Sequence, residues 1–179
     1  MSSSDVVHSR SPYLVTATAL AAAMGCGSAV GAPGGELDPT FGTSGLVRIE
    51  VSRSIGAAVA QQPTDGKIVV GGSASQDTDS PDMAIVRLNV DGSLDTTFGI
   101  GGVATIDFAG YSDYGMAILV QTDGKIVVAG SASTNAGGDS DFALARVNAD
   151  GALDTTFGDG GRVTLNVGRW DELASAIPA

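Results

Sequence analysis

The sequence predicts an all-β chain built from tandem four-stranded antiparallel units, and three observations carry that expectation. First, two motifs recur at nearly constant spacing. LDPTFG at residues 37–42 returns as LDTTFG at 94–99 and again at 153–158, in steps of 57 and 59 residues. DGKIVV at 65–70 returns at 123–128, a step of 58. DGKIVVGGSAS from Asp65 matches DGKIVVAGSAS from Asp123 at 10 of 11 positions, and residues 82–99 match 141–158 at 12 of 18. Second, apolar runs of strand length are bounded by Asp-Gly pairs, a strong hairpin signal. Third, glycine makes up 26 of 179 residues, about twice the usual share. It sits between runs of Val, Ile, Leu and Ala without a three-residue period, which excludes collagen and argues against simple disorder.

The chain opens on a polar stretch in which Arg10 is the one basic residue. Residues 13–24 (YLVTATALAAAM) form an apolar run of 12. That is too short to cross a ~30 Å hydrocarbon core and fits the apolar heart of a secretory signal. Small residues fill positions 25–32. One cut is expected near Ala29. Another is a lipoprotein cut before Cys26, because Ala23-Met24-Gly25-Cys26 is similar to a bacterial lipobox and departs from it at Ala23, where Leu is commoner. Residues 1–32 are therefore read as an export signal and small-residue leader, with Cys26 as a candidate lipidation site. Residues 33–179 are read as the repeat array, with units starting near 37, 94 and 153. The expected location is outside the cytoplasm, as a cell-envelope lipoprotein or a secreted protein.

Within one unit the elements follow in order. Residues 102–107 (GVATID) are a first strand and 114–121 (YGMAILVQ) a second. The tight turn at 122–124 leads to a third strand, 125–132. A variable polar loop covers 133–140. Residues 141–148 (DFALARVN) are a fourth strand, closed by Asp150-Gly151. The fourth strand is apolar on both faces, with Phe142 and Leu144 on one and Ala143, Ala145 and Val147 on the other. Such a strand must be covered on both sides. Four strands per ~58-residue unit, in sheets buried on both faces, predict blades of a β-propeller. The unit is slightly longer than the roughly 40–50 residues of familiar blades, and the polar loop holds the excess. Residues 33–179 make about two and a half repeats, whereas a closed ring takes typically 4–8 blades. The expected architecture is thus an incomplete propeller, whose open strand edges are met by further repeats of the same chain or by other copies.

Rare residues narrow the chemistry. The single His (His8) and single Cys (Cys26) both lie in the leader. Without them the array holds no Ser-His-Asp triad, no Cys nucleophile, no His/Cys zinc site and no internal disulfide. A net charge of -11 and a pI near 4.1 disfavour a nucleic-acid partner, which needs a basic face.

Comparing the copies separates scaffold from candidate sites. Phe41, Phe98 and Phe157 recur and read as core. Asp38, Asp95 and Asp154 read as turn caps that accept from amides two residues on. Arg87 and Arg146 read as a repeated ion pair or as carbonyl contacts between blades. Lys67 and Lys125 read as solvated strand-entry residues. Asn89, Asp91 and Asp95, their copies Asn148, Asp150 and Asp154, and the loop cluster Asp77, Asp79 and Asp82 are oxygen-rich, which suits Ca²⁺. None has the twelve-residue loop with its terminal Glu, and the Asp-Gly pairs already serve hairpins. No catalytic, cofactor or metal residue is assigned. The dissimilar loops 76–81 and 134–140 are where a ligand preference would lie. Tyr111, Tyr114 and Trp170 offer stacking to a sugar or peptide, or packing at a blade edge.

L-D-x-T-F-G-x-G-G, D-G-K-I-V-V-x-G and D-x-A-x-x-R-x-N-x-D-G-x-L-D together resemble the bacterial delta-60 repeat, from about Leu37 to the end. Pro39 and Ser44 depart from the pattern. The resemblance implies exported or surface proteins with arrays of propeller-like repeats, and it implies no reaction. The expected function is a non-enzymatic exported repeat module, a scaffold or binding surface for a protein or glycan ligand. A carboxylate-dependent glycan hydrolase or lyase, with two carboxylates ~5–9.5 Å apart, is the alternative. A fragment of a larger repeat protein without independent activity is another.

Overall fold

The computed structural model describes residues 35–51, 53–75, 80–135 and 139–166. The export segment with His8 and Cys26, parts of both variable loops, and Trp170 lie outside the described residues. Eight strands form two four-stranded antiparallel sheets. The first blade is β1 (Ile55–Gln61), β2 (Ile68–Ala74), β3 (Asp82–Leu88) and β4 (Val103–Ile106). The second is β5 (Asp113–Val120), β6 (Ile126–Ser133), β7 (Ser140–Val147) and β8 (Arg162–Leu165). The fold is all-β among the described residues, as incomplete propeller blades.

The strands fall where the alternation and the Asp-Gly turns put them, but the blade boundary does not. GVATID was expected to open a unit. Instead β4 closes the preceding blade, pairing Met83 with Ile106 and Val86 with Val103. β8 likewise completes the second sheet against β7. The cause is the LDTTFG hook between them. Asp95 N–H donates to Arg87 O at 3.0 Å and Arg87 N–H donates to Gly102 O at 3.0 Å. The chain therefore folds back onto β3 before it can leave for the next blade. A repeat fixes the period of an array but not its phase.

The blades stack face to face. On β2 and β3, Val69, Met83 and Ile85 point to one side and are fully buried. On the second blade Val127 is still buried, but Phe142 and Leu144, the copies of Met83 and Ile85, are only half-buried. The opposite side shows the reverse. Val128, Ala143, Ala145 and Val147 are fully buried, whereas Val70 and Val86 of the first blade are half-buried. One surface of the first blade is thus closed by the opposite surface of the second. β5 lies across that seam, with Ile118 in contact distance of Gly71, where a Cβ would meet the Ile118 side chain at 3.1 Å. Residue 71 is the one mismatch in the eleven-residue repeat. It is Gly where Ile118 packs and Ala at the equivalent position of the second blade, Ala129.

Phe98 is the anchor of this seam. It is fully buried, and a Cβ on Gly151 would sit 3.1 Å from its ring. Phe41 and Phe157, expected in the core with it, are half-buried. Truncating Phe98 to Ala leaves a cavity and is expected to cost ~3–5 kcal/mol. Phe157→Ala is expected to cost less than half as much. Urea titrations of both variants measure the difference, and equal costs would contradict the covered-face assignment.

Candidate functional site: the seam between blades

The first two LDxTFG hooks each clasp the Asp-Gly turn of the following β-unit. Gly42 N–H donates to Asp91 O at 2.8 Å, and Gly99 N–H donates to Asp150 O at 2.7 Å. Gly151 adopts φ +89°, and a side chain there would bring its Cβ to 2.6 Å from Gly99 N. The turn needs glycine both for its backbone and for this close approach.

Beneath the hook lies a charged knot, repeated in both blades. Asp95 Oδ1 accepts from Thr97 N–H at 3.2 Å and from its hydroxyl at 2.6 Å, which is the expected turn cap. Asp95 Oδ2 accepts from Arg87 Nε at 2.7 Å and from Lys67 Nζ at 2.8 Å. Asp154, Arg146 and Lys125 repeat the arrangement at 2.7 Å for both pairs. Asp38 caps Thr40 in the same way at 2.9 Å. The Arg guanidinium also lies over the hook Phe, 4.6 Å from the ring centre for Arg87 on Phe98 and for Arg146 on Phe157, within cation–π range.

Lys67 and Lys125 are therefore not solvated entry residues. Each reaches back across its blade to a carboxylate that is almost wholly buried, with 4% side-chain exposure in both cases. Burial works against the charge on Asp95, but donors from Lys67, Thr97 and Arg87 outweigh it and hold the carboxyl well below the usual range. Lys125 and Thr156 do most of the same for Asp154, with Arg146 adding to them. A depressed folded-state pKa stabilises above the unfolded value and loses that stability as pH falls below about 4.

Arg87 carries the seam contact. Its Nη1 donates across to Ala149 O of the second blade at 2.5 Å. Both readings proposed for this residue, ion pair and inter-blade carbonyl contact, hold together. Arg146 instead turns its guanidinium towards Thr156 Oγ1 at 3.4 Å and is three times as exposed, 21% against 7%. Arg87→Ala strands a buried carboxylate with one remaining cation and is expected to cost about 3 kcal/mol. Arg146→Ala should cost visibly less, and thermal melts of the pair test this.

A second cluster sits at the other end of the same seam. Asp82 opens β3, Asp107 follows β4 and Asp113 opens β5, so two blades contribute. One carboxylate oxygen from each lies within 4.8 Å of those of the other two. Asp113 is fully buried. Its Oδ2 accepts from Phe108 N–H at 2.9 Å, while its Oδ1 has no hydrogen-bond partner. Its backbone is fixed to the first blade by Asp113 N–H donating to Pro81 O at 2.6 Å. Desolvation pushes the Asp113 carboxyl up to about 7; the Phe108 amide and, more weakly, the Ser133 amide oppose this, and repulsion from Asp107 and Asp82 adds to it. Burial and Asp107 also raise Asp82. Of these residues, sequence reasoning had considered only Asp82, and with Asp77 and Asp79, which lie outside the described residues. Tyr111 and Tyr114 do not line this cluster as a stacking platform: Tyr114 lies on β5, half-buried, and Tyr111 is at the surface.

The pH consequence of Asp113 has the opposite sign to that of Asp95. A raised folded-state pKa stabilises below the unfolded value near 4, and that contribution disappears as pH rises through about 7. In metal-free buffer with chelator, Asp113→Asn should flatten this slope and exceed the wild type in stability at pH 8 by on the order of 3–4 kcal/mol. Denaturant midpoints at pH 4.5 and pH 8 provide the check. A wild type no less favoured at pH 8 than its variant would contradict it.

This geometry is consistent with blades of a β-propeller repeat. Residues 64–98 and 121–157 both match the family model described as "Domain of unknown function (DUF5122) beta-propeller". Each match runs from the Asp-Gly-Lys hairpin through β2–β3 or β6–β7 into the hook, ending on Phe98 or Phe157. No curated protein matches the chain.

Proposed function

We propose that the chain is a non-enzymatic, exported β-propeller-type repeat module that works as a scaffold or binding surface at the cell envelope and assembles by stacking blades from different copies. The observation that carries this reading is the mismatch between the two outer faces and the seam. Ile118 is 9% exposed inside the seam, while its equivalent Val59 on β1 is 50% exposed. At the other end, Phe142, Leu144 and Phe157 are less covered than Met83, Ile85 and Phe98. The two faces are complementary copies of surfaces that already pack against each other. Head-to-tail docking of a second copy continues the seam. In such a contact the Phe157 hook competes with the incoming copy's Phe41 for the Asp91-Gly92 turn. Phe41 is the weaker occupant, because Ser44 in its hook sits at φ +54°, which is strained for any residue with a Cβ.

Export rests on the sequence of residues 1–32. The glycan hydrolase alternative gains little from the seam cluster, since its Asp113 is shut away from any sugar.

Light scattering across a concentration series tests the stacking. The expected result is association to a defined size, abolished by Val59→Glu and by Leu144→Glu while the far-ultraviolet spectrum stays unchanged. A monomer at every concentration overturns it. Mass spectrometry of the product from a bacterial host tests export, with a diacylated Cys26 or a cut near Ala29 expected. Glycan-array binding together with hydrolysis assays separates a binding surface from an enzyme.

A further inference from the structure

We propose that Asp82, Asp107 and Asp113 bind one Ca²⁺ ion that staples the two blades together at their seam. Three features of the cluster lead there.

The first is reach. Two oxygens on opposite sides of a common cation, each at its bonding distance, lie no further apart than twice that distance. Ca²⁺ bonds oxygen at about 2.3–2.6 Å, so every pair among three oxygens within 4.8 Å of one another lies inside the span of one ion. Mg²⁺, at about 2.0–2.1 Å and with a strict octahedron, asks for a tighter set.

The second is the buried acceptor. Asp113 has no exposed surface, and its Oδ1 meets no donor. A buried carboxylate oxygen without a donor is costly unless a cation or a proton meets it. The neighbouring Ser133 amide already donates to Ser112 O at 3.0 Å. Lys67, Arg87 and their copies are committed to Asp95 and Asp154. Asp107 is exposed and gives a hydrated ion its way in.

The third is the comparison that the chain makes with itself. β3 pairs Met83 with Ile106, so Asp82 and Asp107 stand at opposing positions; β7 pairs Phe142 with Leu165, so Asp141 and Asn166 do the same. In the second blade Asn166 Nδ2 donates to Asp141 Oδ1 at 2.6 Å, and the pair satisfies itself. In the first blade both partners are carboxylates, and Asp113 brings a third. Ser54, just before β1, holds the position equivalent to Asp113 and donates locally to Val51 O at 2.9 Å. Among the described residues, this cluster of three carboxylates therefore stands where the two blades meet. The motifs first considered for Ca²⁺ in the sequence do not compete for it. Asp91 caps Ser93, and Asp95 and Asp154 are held by Lys and Arg.

Isothermal titration of the chelator-stripped full chain with CaCl₂ is the test, with thermal melts at 0 and 2 mM Ca²⁺ alongside. One site per chain is expected, with a Kd in the range of about 10 μM to 1 mM, and a higher Tm with Ca²⁺. Asp107→Asn reproduces the self-satisfied pair of the second blade, so it is expected to fold while losing at least about tenfold in affinity and the Ca²⁺-dependent rise in Tm. Asp91→Asn should leave both unchanged. No heat and no Tm response in the wild type overturns the proposal, as does Ca²⁺ binding that survives Asp107→Asn and Asp113→Asn. MgCl₂ matching CaCl₂ in heat and Tm overturns the choice of ion. None of these readouts depends on association between copies, so they stand apart from the stacking tests.

Discussion

A sheet that is apolar on both faces cannot stand alone, and that constraint organises everything else in this molecule. Each blade offers Val, Ile, Met or Phe to one side and Val and Ala to the other. Cover on both sides can come only from another sheet of the same kind. The hooks, the charged knots and the Asp-Gly turns all serve to bring such sheets into contact at a fixed angle and distance. Phe98 shows how directly. It belongs to the hook of one blade, packs under the turn of the next, and carries the guanidinium that reaches across to Ala149. Removing the neighbour would expose the ring, orphan the Arg87 contact and open Val69, Met83 and Ile85 together. The seam behaves as one cooperative unit and not as a sum of separate contacts.

Electrostatics along the seam is divided by sign. At one end, cations outnumber the carboxylate they meet, two to one at Asp95 and again at Asp154. The acid there is locked in its charged form. At the other end three carboxylates converge, and the Lys and Arg of the knots are spent elsewhere. A protein of net charge -11 has few Lys and Arg to distribute, and both copies place them at the hook. The chain itself supplies positive charge where the fold needs a permanent clamp, and leaves the far end to something that can come and go.

How much of this could be read beforehand follows from where each signal lives. Strand positions were legible because alternation and Asp-Gly turns act within a few residues. The caps at Asp38, Asp95 and Asp154 were legible for the same reason, since each bond spans two residues. The blade boundary was not, because only the hydrogen bonds between Arg87, Asp95 and Gly102 decide which sheet GVATID joins. Lys67 looks solvated in sequence, and its partner stands 28 residues away. The carboxylate cluster spans residues 82–113 and two blades, so no local pattern could announce it. A signal was nevertheless present. Asp107 aligns with Asn166 in the second copy, and an acid replaced by its amide is what relief of a repulsion looks like.

The differences between the two copies therefore carry as much meaning as their identities. Shared residues describe what every blade needs to be a blade. The exchanges fall at the seam and its rim: Gly71, which faces Ile118, against Ala129, Met83 against Phe142 on the same face, Asp107 against Asn166 at the rim, and Ser54 against Asp113 where the first strand of each blade begins. A duplicated sequence under no positional constraint would diverge first in its loops, as 76–81 and 134–140 do. Divergence at the packed seam is harder to obtain by drift, because each change must suit a close-packed neighbour. The second blade has become the partner of the first, and its distinct residues at the seam record the side on which that partner lies.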